Sequence, residues 1–70
     1  MITKKVNIEL AGQKASEVHC KTILIDTENN HNLIVDAVDS EGKVYYQDIA
    51  LNLNVLPFTL TQAQISELSQ

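Results

Sequence analysis

Between Asp48 and Pro57 the chain alternates strictly: Ile49, Leu51, Leu53 and Val55 are large and apolar, while Ala50, Asn52 and Asn54 between them are small or polar. Successive side chains of a β-strand point to opposite faces, so this run specifies a strand with one buried and one wetted face. It stops at Pro57, the single proline, which has no N–H to give to a ladder. A sheet buried on one side is the architecture that such a strand demands.

Other segments agree. A first strand spans about residues 4–10, with Val6, Ile8 and Leu10 on one side and Lys5, Asn7 and Glu9 on the other. Gly12 marks the turn that follows. A second strand spans about 16–25 and ends in Ile23-Leu24-Ile25, apolar on both faces. Such a stretch belongs to a central strand, or to one whose outer side is covered by a helix or a partner. Residues 26–32 hold no aliphatic side chain and are rich in Asn and Asp, the composition of a hairpin loop.

A third strand covers 33–38. Asp39-Ser40-Glu41-Gly42-Lys43 then has the chemistry of a type I turn closed by a glycine bulge. The fourth strand is expected over 44–55. Its apolar parity slips between Tyr46 and Ile49, and a β-bulge at Gln47-Asp48 would restore both sets to one face. The last element is a helix at about 62–69. Thr61 and Gln64 form a capping box, and Leu60 with Ile65 forms a hydrophobic staple. The order is ββββα. Short reversals make neighbours antiparallel, so the expectation is one α+β domain over residues 1–70, a four-stranded antiparallel meander sealed by a short helix.

Size and charge narrow the function. Seventy residues give a small core that usually needs a staple. Cys20 is the only cysteine, so no internal disulfide forms, and no Cys/His set has metal-ligand spacing. Association is the remaining route, which makes a homodimer formed through the sheet the first expectation. No apolar run is long enough to span a membrane and the N-terminal residues lack the apolar core of a signal peptide. With one free cysteine, this points to the reducing cytosol.

The net charge of −4 is unevenly placed. Residues 1–25 carry four lysines against two glutamates, and residues 26–70 carry one lysine against seven carboxylates. The chain has no arginine, the favoured residue for phosphate and guanine contacts, so direct nucleic-acid binding is not expected.

Catalytic and metal-binding patterns are weak. His19 and Cys20 are adjacent, but strand neighbours point apart, and a nucleophile needs its base within hydrogen-bond reach. Asp36, Asp39 and Glu41 surround a glycine turn without the alternating ligands of a calcium loop. Neither an enzyme nor a cofactor is expected. The function expected is a protein–protein interaction module, with Ile23, Ile25, Tyr45, Tyr46, Asp36, Asp39 and Glu41 as partner-binding residues. The alternative is an acidic inhibitor, of the kind phages and plasmids encode, that blocks a basic nucleic-acid-binding groove on a partner protein.

Overall fold

A computed structural model describes residues 1–70. Four strands, β1 (Ile2–Leu10), β2 (Gln13–Ile25), β3 (His31–Val38) and β4 (Val44–Asn52), form one antiparallel sheet in the order β1-β2-β3-β4. A helix, α1 (Gln62–Leu68), follows. This is the ββββα meander that the alternation implies. Strands one to three begin two or three residues earlier than the side-chain pattern suggests, because backbone pairing continues into Thr3, Lys14 and His31, whose side chains carry no apolar signal.

One boundary is corrected. The fourth strand does not run to Val55; it ends at Asn52, and Leu53–Val55 form a 3-10 turn. The Asn52 side chain accepts a hydrogen bond of 2.8 Å from the Asn54 amide and caps that turn. A local side-chain bond has outcompeted the ladder that the alternation would otherwise extend. Val55, expected on the buried face, is instead largely exposed.

The buried face is built from cross-strand pairs. Val18 lies opposite Ala37, Cys20 opposite Val35, and Ile23 opposite Leu33. On the far side of β3, Val35 meets Ile49 and Leu33 meets Leu51. Val18, Cys20, Leu33 and Val35 have no exposed surface. Leu68 of α1 joins the same cluster, and Leu53, Leu56, Phe58, Leu60 and Ile65 close over it. The segment after β4 therefore crosses the apolar face and lays α1 against β2.

Local chemistry sets the helix start. Thr61 Oγ1 accepts from the Gln64 amide (3.1 Å), and Gln64 Oε1 accepts from the Thr61 amide (3.0 Å), the reciprocal bonds of a capping box. At the other end Ser69 Oγ donates to the Ile65 carbonyl (2.8 Å), and Thr22 Oγ1 donates to the Leu68 carbonyl (3.3 Å). The second bond ties the helix end to β2. Two turns of helix are marginal alone, so docking holds α1 in place.

The two longer reversals use one device. In Asp26-Thr27-Glu28-Asn29-Asn30 the Asp26 carboxylate accepts from the amides of Glu28 and Asn30, both at 2.9 Å. In Asp39-Ser40-Glu41-Gly42-Lys43 the Asp39 carboxylate accepts from Glu41 and Lys43, at 2.9 and 3.0 Å. Asn29 and Gly42 occupy equivalent left-handed positions, with φ of 66° and 80°. The β1–β2 turn differs. It is a two-residue loop, Ala11-Gly12, with positive φ at both positions, the pattern of a type I′ turn.

Candidate functional site

Each outer edge of a sheet exposes unpaired N–H and C=O groups and invites another strand. The full-length edges here are β1 and β4. β1 carries Lys4 and Lys5 and is bulged at Val6-Asn7, where three residue steps oppose two on β2. β4 is irregular twice. Tyr45 is an extra residue between Val44 and Tyr46, and Gln47-Asp48 together oppose Asp36. Lysines and bulges are the usual means by which edges are blunted.

The bulge at Gln47-Asp48 is the one that the parity slip implies. Asp48 adopts φ of 59° there, and its amide donates to Asp36 Oδ1 at 3.1 Å. Lys21 bridges the same pair, with Nζ 3.2 Å from Asp36 Oδ1 and 2.7 Å from Asp48 Oδ1. Hydrogen bonds to Asp48 and then to Asp36 push the Lys21 ammonium above its ordinary value. Lys21 is itself an extra residue on β2, between Cys20 and Thr22. Two bulges thus bring a lysine and two aspartates together on the face opposite the helix. The arrangement is structural, since the Asp36 carboxylate holds the bulge and Lys21 neutralises it.

One stretch of edge is left open. β1 pairs with β2 only as far as Ile2 opposite Cys20, so the last residues of β2 run on beyond it. The Asp26 amide bonds the Asn30 carbonyl across the hairpin (3.0 Å). Backbone groups alternate in direction along a strand, so Leu24 also faces β3 while Ile23 and Ile25 aim their N–H and C=O outward. Leu24 is 56% exposed and Ile25 59% exposed. Met1, one residue before the start of β1, and Val55 on the turn after β4 are exposed at the same end of the sheet. Met1, Leu24 and Ile25 lie near the unpaired end of β2, with Leu24 and Ile25 on opposite faces of the sheet, while Val55 lies beyond β3 at the end of β4.

The expected partner-binding residues are distributed as follows. Ile25 lies in the open corner. Ile23 is only 9% exposed and belongs to the core, and Leu24 supplies the exposed surface expected of it. Tyr46 is more than half exposed on β4. Tyr45 is half-buried, and its hydroxyl donates to the carbonyls of Leu10 (2.9 Å) and Gln13 (3.0 Å). On a flat sheet those carbonyls would lie roughly 10–14 Å from β4 at ~4.8 Å per strand, so the sheet is coiled at this end. Asp36 is 7% exposed and Asp39 is occupied by its own turn, which leaves Glu41 as the free carboxylate of the three.

Leu24 is what sequence reasoning missed. Ile23-Leu24-Ile25 is apolar on both sides, and periodicity alone does not say which member a helix covers. His19 and Cys20 sit on opposite faces, since Cys20 points into the core and His19 lies opposite Asp36. Burial pushes the Cys20 thiol up, away from the reactive thiolate. No three His, Cys, Asp or Glu side chains come together as a metal-binding group, and no helix is long and apolar enough to cross a membrane. In comparisons with known proteins, no family model, no curated protein and no solved structure matches the chain.

Proposed function

We propose that this chain is a small cytosolic protein-interaction module that forms a homodimer through its sheet. The observation that carries the reading is the open corner, where two large aliphatic side chains stand in water beside backbone groups with no strand to pair with. Aliphatic side chains on both faces of an unpaired strand end are the kind of surface that an added strand covers. The small core supports the same reading. Only nine apolar residues are buried, with no disulfide to staple them, and association is then a source of stability.

The acidic-inhibitor reading draws on the same charge asymmetry but lacks a surface. Asp26 and Glu28 lie at one end of β3, and Asp39 and Glu41 at the other, roughly 26 Å away at ~3.3 Å per residue. Asp36 and Asp48 are engaged by Lys21 between them. Sedimentation equilibrium over the micromolar range tests the proposal. The expected mass at high concentration is twice the 7.8 kDa of one chain. A single 7.8 kDa species throughout the series would contradict it.

A further inference from the structure

We infer that residues 8–15 form a hinged arm folded back against the end of the sheet, and that the Tyr45 hydroxyl is the latch that holds it shut. This is independent of the homodimer reading. The last pair between β2 and β3 is Glu17 opposite Val38, so Gln13 to Ser16 and the β1 residues beside them run past the end of β3 as a two-stranded arm. Tyr45 lies between Val44, opposite Val38, and Tyr46, opposite Ala37. In a flat sheet Gln13 would stand roughly 13 Å beyond that level and about 10 Å to the side, at ~3.3 Å per residue and ~4.8 Å per strand. Its carbonyl is instead 3.0 Å from the Tyr45 hydroxyl, and the Leu10 carbonyl is 2.9 Å away. The arm is therefore bent back toward β4.

The hinge is the bulge at the base of the arm, where Val6 and Asn7 together oppose Ser16. A bulge interrupts the ladder and bends the strand that carries it. Beyond it the arm keeps its own pairing, Ile8 with Ala15 and Leu10 with Gln13, closed by the Ala11-Gly12 turn, so it can swing as a unit. Ala15 shows what the closed position covers. It has β1 on one side and no strand on the other, yet it has no exposed surface. The closed arm also forms one wall of a polar cleft of about 330 Å³, lined by Gln13, Lys14 and Ser16 on the arm side and by Asp39 and Ser40 of the β3–β4 turn on the other. Opening the arm opens this cleft.

The latch is light. Outside the strand ladders, the bonds of Tyr45 are the only hydrogen bonds between the arm and the rest of the chain. A phenol has one proton to donate, and here two carbonyls share it. Burial, and then the charges of Asp39 and Glu9, push the Tyr45 phenol up, so the proton stays in place. One such bond shifts the closing equilibrium by roughly 3- to 10-fold. Local openings of this kind occur without global unfolding.

Thiol labelling reads the opening. Ala15→Cys puts a reporter under the closed arm, and Cys20 in the same chain reports deeper opening, the two being separated by peptide mass. The thiol at position 15 is expected to label at least tenfold faster than Cys20. Tyr45→Phe keeps the ring and removes the proton, and should quicken that labelling by roughly 3- to 10-fold with the circular dichroism unchanged. Leu68→Ala, which loosens α1 instead, should leave it within about twofold. Labelling no faster than at Cys20, or quickened as much by Leu68→Ala as by Tyr45→Phe, would show that the arm does not open by itself. Labelling unaffected by Tyr45→Phe would show that the hydroxyl is no latch. Any of these results would overturn the proposal. In the unsubstituted chain, nuclear Overhauser contacts should join the Tyr45 ring to Leu10 and Gln13. Their absence would overturn it whatever the variants do.

Discussion

Leu68 is the one residue of α1 that is almost fully buried, and it touches the cluster containing Cys20. Replacing a buried leucine by alanine costs about 2–5 kcal/mol, less where the surroundings can collapse. Leu68 sits in the last turn of a two-turn helix, where its surroundings can partly collapse, so about 2–3 kcal/mol is expected. A 70-residue chain has roughly 3.5–10 kcal/mol of total stability at ~0.05–0.15 kcal/mol per residue. Leu68→Ala should therefore remain folded but open far more often. Cys20 reports the opening, because its thiol is wholly buried when α1 is docked. At tenfold per ~1.4 kcal/mol, labelling by an aromatic disulfide reagent should quicken roughly 30- to 150-fold. Val55→Ala, on the exposed turn, should change it by about twofold at most. If Leu68→Ala labels within about threefold of the parent chain, α1 does not seal the apolar face and the packing argument fails.

Three further perturbations probe the turns and the polar bridge. Ala11 holds φ of 54° without the advantages of Asn or Gly, so Ala11→Asn should raise the urea midpoint, by about 0.5–1 kcal/mol of stability, since Asn-Gly is the favoured type I′ pair. The Asp26 carboxyl is held low in the folded chain, chiefly by the Asn30 amide, so its contribution is present above the unfolded value of 3.8 and is lost as pH falls through the folded one. Acid titration of Asp26→Asn should lose that part of the low-pH transition; an unchanged acid limb would contradict the turn assignment. Asp36→Ala leaves the Asp48 amide and the Lys21 ammonium without their shared acceptor, and should destabilise the chain by about 1–3 kcal/mol in urea unfolding. Asp36→Asn keeps an acceptor for the amide and should cost less; equal losses would show that charge alone matters there.

What could be read from the residues was whatever depends on nearest neighbours. Parity located four strands, the slip between Tyr46 and Ile49 located a bulge, and the Thr61–Gln64 pair located the helix start. Bulges at Val6-Asn7, Lys21 and Tyr45 were not legible, because each is set by register against another strand and leaves no break in apolar parity as clear as the one at Gln47-Asp48. The end of β4 was hidden for the opposite reason. Asn52 and Asn54 fit the polar side of a strand, yet Asn52 also caps a turn, and the local bond prevailed. The shared turn device had a visible signal in the recurrence of Asp-Thr/Ser-Glu-Asn/Gly. The candidate site was half legible. Ile23-Leu24-Ile25 stood out as apolar on both faces, but which of the three turns inward is set by the bulge at Lys21, which moves the buried parity from Cys20 to Ile23.

The free edge of β2 is tested most directly by amide hydrogen exchange, followed residue by residue in dilute and concentrated samples. The Ile23 and Ile25 amides point away from β3, so in dilute solution they should exchange nearly as fast as a loop. As the sample is concentrated both should become protected together, while Lys5 on β1 and Gln47 on β4 keep their rates. Protection that instead rises at Lys5 or Gln47, with Ile23 and Ile25 unchanged, would contradict the account.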